Sequence, residues 1–327
     1  LHVLDNIDPA LMREIEDIID LKKTLFIVVT KSGTTPETLA QFFYFLDKCK
    51  KASLSPHSSF VVITGPEKNT LRSIAEQENI TTFDIPTDVG GRFSVLTNVG
   101  LLPAKLIGID IEKLLEGARS MRDQFLNTDA KTNLPFQIAT IQYLLSKKGK
   151  NINVMTPYAQ KLSRFADWYR QLLAESIGKN ISNSGKKIEA GITPVNALGV
   201  TDQHSQSQLY NEGPNDKLHM FIKVADLGPK VDIPIPPPSS HNLEYLEGVT
   251  FNQLLATEME GTIAALTQNN RPNITIEIET IDEYTLGQLF MLFEGATAFL
   301  GEFFEINAYD QPGVELSKKI TRELLQK

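Results

Sequence analysis

Cysteine is nearly absent from this sequence of 327 residues, Cys49 being the only one. No disulfide can form within the chain, and no cysteine-based zinc cluster can be built. Such usage suits a reducing compartment. Cys49 itself lies in "DKCKK" near a helix end and reads as a bystander. Histidine is also scarce. His2, His57, His204, His219 and His241 are scattered, without the His-x-x-x-His spacing of a metal site. An excess of basic charge is missing: 32 Lys and Arg against 40 Asp and Glu leave a net charge of −8. That argues against a general nucleic-acid binder, although a local basic pocket for an anionic metabolite remains compatible with it. A membrane-length apolar run is missing too. The most apolar long stretch, 286–306, carries Glu294, Glu302 and Glu305, so it reads as a core helix and not a membrane span.

What is present is ordinary globular material, 41% hydrophobic and 22% charged, and long enough for two domains with proper cores. The first third alternates. Strands are expected at 1–5, 24–30, 59–64 and 80–85, with helices after Asp8-Pro9, from Pro36 and around 68–77. Such alternation, with continuous apolar strands, builds a parallel sheet covered by helices on both faces. A Gly-Gly turn and an apolar helix occupy 86–105, and 109–149 is mostly helical. A second alternation follows: strand 151–157, a helix holding Trp168 and ending near Gly178, strand 219–224, helix 251–268, strand 273–279, and helices 284–306 and 313–326. The proline-rich 228–240 reads as an exposed loop. The fold class is therefore α/β, with two blocks joined by helices.

The stretch "VVTKSGTTPET", Val28 to Thr38, joins the second strand to its helix. Thr35 followed by Pro36 is a helix-start signal, a hydroxyl N-cap and a proline at the first helical position. Thr30 to Thr35 then form a loop at the carboxyl end of a strand, where parallel sheets bind ligands. Helix-start N–H groups, the helix dipole, the Lys31 ammonium and several hydroxyls suit a phosphate or similar dianion. Gly33 permits a positive φ and close backbone approach. An ordinary capped turn uses the same residue types. The spacing is not that of a Walker loop, so a phosphorylated small molecule is expected more than a nucleotide.

Other segments carry candidate chemistry. In "WYRQLLAESIGK", helical spacing puts Trp168, Leu172 and Glu175 near one face, with Gln171 one turn from Glu175. A carboxylate on a partly apolar face suits a general base. A surface glutamate paired with Lys179 at i,i+4 is the commoner outcome of that spacing. His204 lies in the polar loop "GVTDQHSQSQLYNEG", with partners for either tautomer. Gly90-Gly91-Arg92 sets an arginine, able to stabilise an oxyanion or hold phosphate, beside a backbone a ligand can approach. In "QPGVELSK", 311–318, Lys318 is either an exposed helix residue or a proton donor.

Together, "TKSGTTPET", "GGRFSVLTNVGLLPA", "WYRQLLAESIGK", "GVTDQHSQSQLYNEGPND" and "YDQPGVELSK" resemble, in order, segments of the glucose-6-phosphate isomerase (phosphoglucose isomerase) family. The resemblance covers essentially the whole chain. It implies two sugar-isomerase (SIS) domains, each a parallel sheet flanked by helices, with 1–125 the remainder of an incomplete first domain and 126–327 the second. It implies a cytoplasmic enzyme of glycolysis and gluconeogenesis. Such an enzyme interconverts glucose 6-phosphate and fructose 6-phosphate without a metal or organic cofactor. By motif, Thr30, Lys31, Ser32 and Thr35 would hold the phosphate. His204 with Lys318 would open the ring, and Glu175 would move a proton between C1 and C2 through a cis-enediol(ate). Arg92, with Gly91 beside it, would stabilise that intermediate, while Gln171 and Gln311 would position the substrate. The family's histidine comes from the neighbouring subunit, so a homodimer is implied.

Two departures accompany the resemblance. The first loop position is more often Ser, and Thr30 keeps the hydroxyl. The family also carries an earlier glycine-rich segment of the "GIGGS" type, which has no counterpart in these 327 residues. The sequence opens at Leu1 and at once enters "LHVLDN", as a chain cut into a domain or processed would. The expectation is a weakly active or inactive chain, prone to associate through exposed sheet edges. The alternative to an enzyme is a non-catalytic phosphosugar-binding SIS module, which needs the loop but not Glu175, His204 and Lys318.

Overall fold

Strands and helices that alternate along the sequence build two separate parallel sheets. The computed structural model describes residues 1–235 and 242–326. The chain divides into two units, Leu1–Glu112 and Lys113–Lys327.

The first unit contains α1 (Pro9–Ile18), β1 (Phe26–Thr30), α2 (Pro36–Lys51), a single turn α3 (Pro56–Ser59), β2 (Phe60–Thr64), α4 (Thr70–Gln77), β3 (Thr81–Asp84) and α5 (Asn98–Leu106). The sheet order is β1-β2-β3, all parallel, with Phe26 opposite Phe60 and Val61 opposite Thr81. β2 is central and almost wholly buried, which is why its sequence is a continuous apolar run. Phe42, Phe45, Phe60, Val62, Leu71 and Ala75 form the core, and Phe26 stacks on Phe45 and Phe60 at 4.8 and 5.0 Å. Each of the phenylalanine, valine and leucine side chains contributes roughly 1.5–3 kcal/mol when fully buried. Cys49 belongs to this core with no exposed surface, and burial pushes its thiol pKa up.

The strand expected at 1–5 does not form. Residues 1–8 carry no regular structure, and Leu1 and Val3 are exposed. Only Leu4 packs against the core, so the apolar pattern there anchors a coil; no neighbouring strand offers it a ladder.

The second unit runs through α6 (Ile111–Phe125), whose first turn holds the boundary, then α7 (Leu134–Ser146), β4 (Ile152–Pro157), α8 (Ser163–Ile177), β5 (Lys179–Ile181) and β6 (Lys187–Ala190). It continues through β7 (Thr193–Asn196), α9 (Gln203–Glu212), β8 (Lys217–Val224), α10 (Phe251–Gln268), β9 (Asn273–Ile278), α11 (Glu283–Phe303) and α12 (Glu315–Leu325). Its main sheet has the order β7-β4-β8-β9, all parallel, while β5 and β6 form a separate antiparallel pair. β7 contains Pro194 and sits at the sheet edge, the place a strand proline is tolerated. Helix α11 packs on α7 and α8 as the core helix expected from 286–306, with Phe293 against Tyr169 at 4.8 Å. α6 and α11 touch backbone to backbone. A Cβ at Gly117 would stand 1.8 Å from the Tyr284 carbonyl oxygen, and one at Gly287 1.9 Å from that of Leu114.

Of the proline-rich stretch, 228–235 is exposed apart from the partly buried Ile233, while 236–240 and His241 lie outside the described residues. Among the described residues no helix is long and apolar enough to cross a membrane. Nor is any group of three or more His, Cys, Asp or Glu placed to hold a metal ion.

Candidate active site

In the first unit, the Thr30–Thr35 loop leaves the carboxyl end of β1 and enters α2. Thr30 is buried and closes the strand, with its hydroxyl bonded to that of Thr35 at 2.6 Å. The Ser32 hydroxyl lies 3.4 Å from each. Thr34 donates both its N–H and its hydroxyl to Ser32 Oγ at 3.2 Å. Three hydroxyls thus converge on the start of a sixteen-residue helix. Thr35 stands at the N-cap position, as expected, but its hydroxyl makes no cap bond. It is turned toward Thr30 instead, so the cap signal is correct in position and wrong in bonding.

β2 and α4 brace the loop. Thr64 donates its hydroxyl to the Thr30 carbonyl at 2.7 Å, Gly65 its N–H to Lys31 O at 3.0 Å, and Leu71 its N–H to Gly33 O at 3.1 Å. Gly33 has φ +65°, and a Cβ there would overlap the Asn69 side chain, 1.8 Å from Oδ1. Asn69 is in turn fixed by capping α4 through the Arg72 N–H at 2.9 Å.

Lys31 does not extend over the loop. Its ammonium donates to the carbonyls of Thr87 at 2.8 Å and Val89 at 2.7 Å. These residues lead directly into Gly90-Gly91-Arg92, so one lysine ties the phosphate-loop candidate to the arginine candidate. Gly91 begins a 3-10 turn, Gly91–Phe93, in which a Cβ at Gly91 would meet nothing within 4 Å. Arg92 is buried, its guanidinium 5.5 Å from the centre of the Phe93 ring.

In the second unit, Glu175 sits half-buried in the last turn of α8, next to the fully buried Leu172 and Ser176. Gln171 donates to Glu175 Oε1 at 3.2 Å, the one-turn pairing the spacing predicts. Lys179, expected as a surface ion-pair partner, is buried at 7% exposure. It donates to the main-chain oxygens of Glu175 at 2.7 Å and Asp310 at 2.8 Å, with the Asp310 carboxylate 3.5 Å away. The bond to Asp310 fixes the residue before Gln311 against the end of α8.

His204, expected in a loop, lies exposed in the first turn of α9, because the segment before it is locked. Asp202 accepts from the Leu198 N–H at 2.8 Å and the Ser205 hydroxyl at 2.7 Å. Burial pushes Asp202 up, but bonds from Ser205, Leu198 and Gln206 outweigh it and hold the carboxyl below its usual range. Gln203 accepts from the Tyr158 hydroxyl at 2.8 Å and donates to Glu258 at 3.0 Å, joining α9 to α10. His204 lines a cavity of about 670 Å³ between these helices, with Ser207, Tyr245 and Glu258. Lys318 lies on α12, which has no buried residue, and pairs with Glu315 at 2.8 Å on its own helix.

The hydroxyls, Gln171 and Glu175 are legible in the sequence, but the two lysine ties and the role of Asn69 are not. Only Gly178-Lys179, a cation directly after a helix end, is a visible signal of them.

Two parallel sheets flanked by helices, with a hydroxyl-lined loop at a strand end and a carboxylate on the helix after another strand, define the α/β class of sugar-isomerase (SIS) folds. The family model described as phosphoglucose isomerase matches residues 1–227 and 249–327. The chain belongs to that family. A glucose-6-phosphate isomerase of Carboxydothermus hydrogenoformans is 46% identical over 99% of this chain and 70% of its own length. The structure of a hypothetical protein of Thermus thermophilus superposes with a TM-score of 0.93 at 39% identity, over 100% of this chain and 77% of that one. The structure of a glucose-6-phosphate isomerase of Chlamydia trachomatis gives 0.86 at 26% identity, over 98% and 63%.

Proposed function

We propose that the chain is a glucose-6-phosphate isomerase that interconverts glucose 6-phosphate and fructose 6-phosphate. The observation that carries this reading is the Glu175 carboxylate. It is half-buried, accepts a bond from Gln171, and its own main chain shares one buried ammonium with Asp310 beside Gln311. Moving a proton between adjacent carbons needs one base that can return what it takes, and a single held carboxylate serves. Glu175 takes the proton from C2 of the open-chain aldose and returns it to C1 of the enediol(ate). Arg92 supplies the fixed positive charge that the intermediate needs. His204 and Lys318 open the ring, with His204 reaching the site of a neighbouring subunit in a homodimer. Gln171 and Gln311 orient the reacting end.

The hydroxyls of Thr30, Ser32 and Thr35 and the start of α2 take the phosphate, and Lys31 adds positive charge at the loop. Binding energy gained at this remote group orients the reacting carbons. In this reading 1–125 and 126–327 are the two SIS domains, a division at the end of α6, whereas the compact units part at its first turn, and the enzyme works in the cytoplasm.

The test is fructose 6-phosphate conversion by the pure chain, with Glu175→Gln alongside. The expected result is activity in the parent and a loss of at least about 10³-fold in the variant. Equal activity in both would overturn the role of Glu175. A parent that is stabilised by sugar phosphate but turns over nothing would make the chain a binding module.

A further inference from the structure

Lys179 is the first residue of β5, immediately after the Gly178 that ends α8. A buried ammonium is costly unless its N–H groups find acceptors. Here the acceptors are two main-chain oxygens from distant parts of the chain, Glu175 O at 2.7 Å and Asp310 O at 2.8 Å, with Asp310 Oδ1 at 3.5 Å. The first is a carbonyl of the last helical turn, where intrahelical partners run out and positive charge is favoured. The second belongs to the connection between α11 and α12. A main-chain bond from the Asn183 N–H to Glu305 O at 2.7 Å also ties that connection to the same region. Asn307 also donates to the Asp310 carboxylate at 3.2 Å. Lys179 is therefore one point at which the backbone carrying the carboxylate and the backbone carrying Gln311 are held together.

We propose that Lys179 is a positioning residue for the isomerisation: one buried ammonium holds the main chains of Glu175 and Asp310 and so fixes Gln311 relative to the Glu175 carboxylate. The inference rests on the isomerase reading above. Its action is geometric. A displacement of about 1 Å between groups that flank a reacting centre can cost on the order of 10²-fold in rate. The phosphate loop lies on other residues, so substrate affinity is largely spared.

The experiment is a cycle of Lys179→Met, Gln311→Ala and the double variant, with Lys179→Arg as the conservative change. Kinetics with fructose 6-phosphate are combined with amide hydrogen exchange across 307–311. Lys179→Met is expected to lower kcat by about 30- to 100-fold while KM moves less than about threefold. The double variant should be no slower than Lys179→Met by more than about twofold, because both changes remove one coupled unit. Lys179→Arg should recover kcat to within about fivefold. Exchange at 307–311 should quicken in Lys179→Met. A wild-type kcat, losses that multiply in the double variant, or an arginine variant as slow as the methionine one would overturn the proposal. Should Lys179→Met not fold, Lys179→Gln carries the same cycle, and a wild-type kcat there is equally fatal. If the parent has no isomerase activity, the functional reading fails, and exchange decides the tie alone: quickened exchange upholds it and unchanged exchange removes it.

Discussion

The hydroxyls of Thr30 and Thr35, five positions apart, are bonded to each other at 2.6 Å, and Thr35 therefore does not cap the helix it begins. Two hydroxyls that satisfy each other can turn together onto an entering anion, each exchanging a neutral bond for a charge-assisted one. Thr30→Val keeps the shape of the buried side chain and removes the donor. The expected outcome is a fall of about 10- to 100-fold in kcat/KM for fructose 6-phosphate, the worth of one hydrogen bond to a charged group. Inorganic phosphate should also lose potency as an inhibitor. Steady-state kinetics with and without phosphate check both, and unchanged inhibition would take Thr30 out of the phosphate site.

Gly33 has a second reason to be glycine beyond its φ of +65°. The space a Cβ would need is filled by Asn69, which is held in place as the cap of α4. Gly33→Ala is expected to cost about 1–2 kcal/mol for the left-handed backbone alone. The overlap with Asn69 adds to that, and the cost shows as a melting temperature several degrees lower. Combining Gly33→Ala with Asn69→Ala removes the two worst overlaps, with Oδ1 at 1.8 Å and Cγ at 2.2 Å, but leaves the Cβ contact at 2.8 Å and the φ strain. The double variant should therefore lose less than the sum of the singles. Additive losses in thermal unfolding would show that the contact does not matter.

Lys31 makes a prediction that separates it from the hydroxyls. Its ammonium holds the carbonyls of Thr87 and Val89, just before Gly90-Gly91-Arg92. Lys31→Met removes charge at the loop and releases the arginine segment, so kcat should fall together with affinity, by about 10²-fold in kcat/KM. Thr30→Val should mainly raise KM. If Lys31→Met changes KM alone, its tie to the arginine segment has no catalytic meaning.

The parts legible in the sequence are those decided by local pattern. Phe60–Ile63 is an unbroken apolar run because β2 is buried on both sides. α10 begins at Phe251 because Thr250 accepts from the Gln253 N–H at 3.1 Å. What the sequence hid was decided at a distance. Residues 1–5 have a strand's composition but no partner. The helix carrying His204 is polar apart from Leu209 and Tyr210, too few apolar residues to make a stripe. Asp202 is held locally, but Gln203 is held by Tyr158 and Glu258 and Tyr210 lies against His219, groups that local reasoning does not see. The Lys179–Asp310 bond spans 131 positions: "IGK" shows a cation at a helix end, but nothing in it or in "YDQ" names the distant partner. Glu175 and Gln171 are visible together only because the helix places them one turn apart.

Glu294 ties stability to pH. It lies on α11, its Oε1 is buried without a hydrogen-bond partner among the described residues, and burial alone raises its pKa from the usual 4.5 to about 8. In the native state at neutral pH the carboxyl is protonated, whereas in the unfolded chain it is ionised. The folded form binds the extra proton, so stability falls as pH rises between about 4.5 and about 8, and continues at its reduced level above that. The stabilising contribution is thus fully present in acid and lost in alkali, the reverse of a salt-bridged carboxylate. Glu294→Gln keeps the shape and has no charge to acquire. Its melting temperature should track the parent near pH 5 and exceed it by several degrees near pH 9. Thermal unfolding of both proteins across that range decides the matter. Parallel curves would mean that Glu294 is ionised in the native state, with a counter-charge that balances its burial.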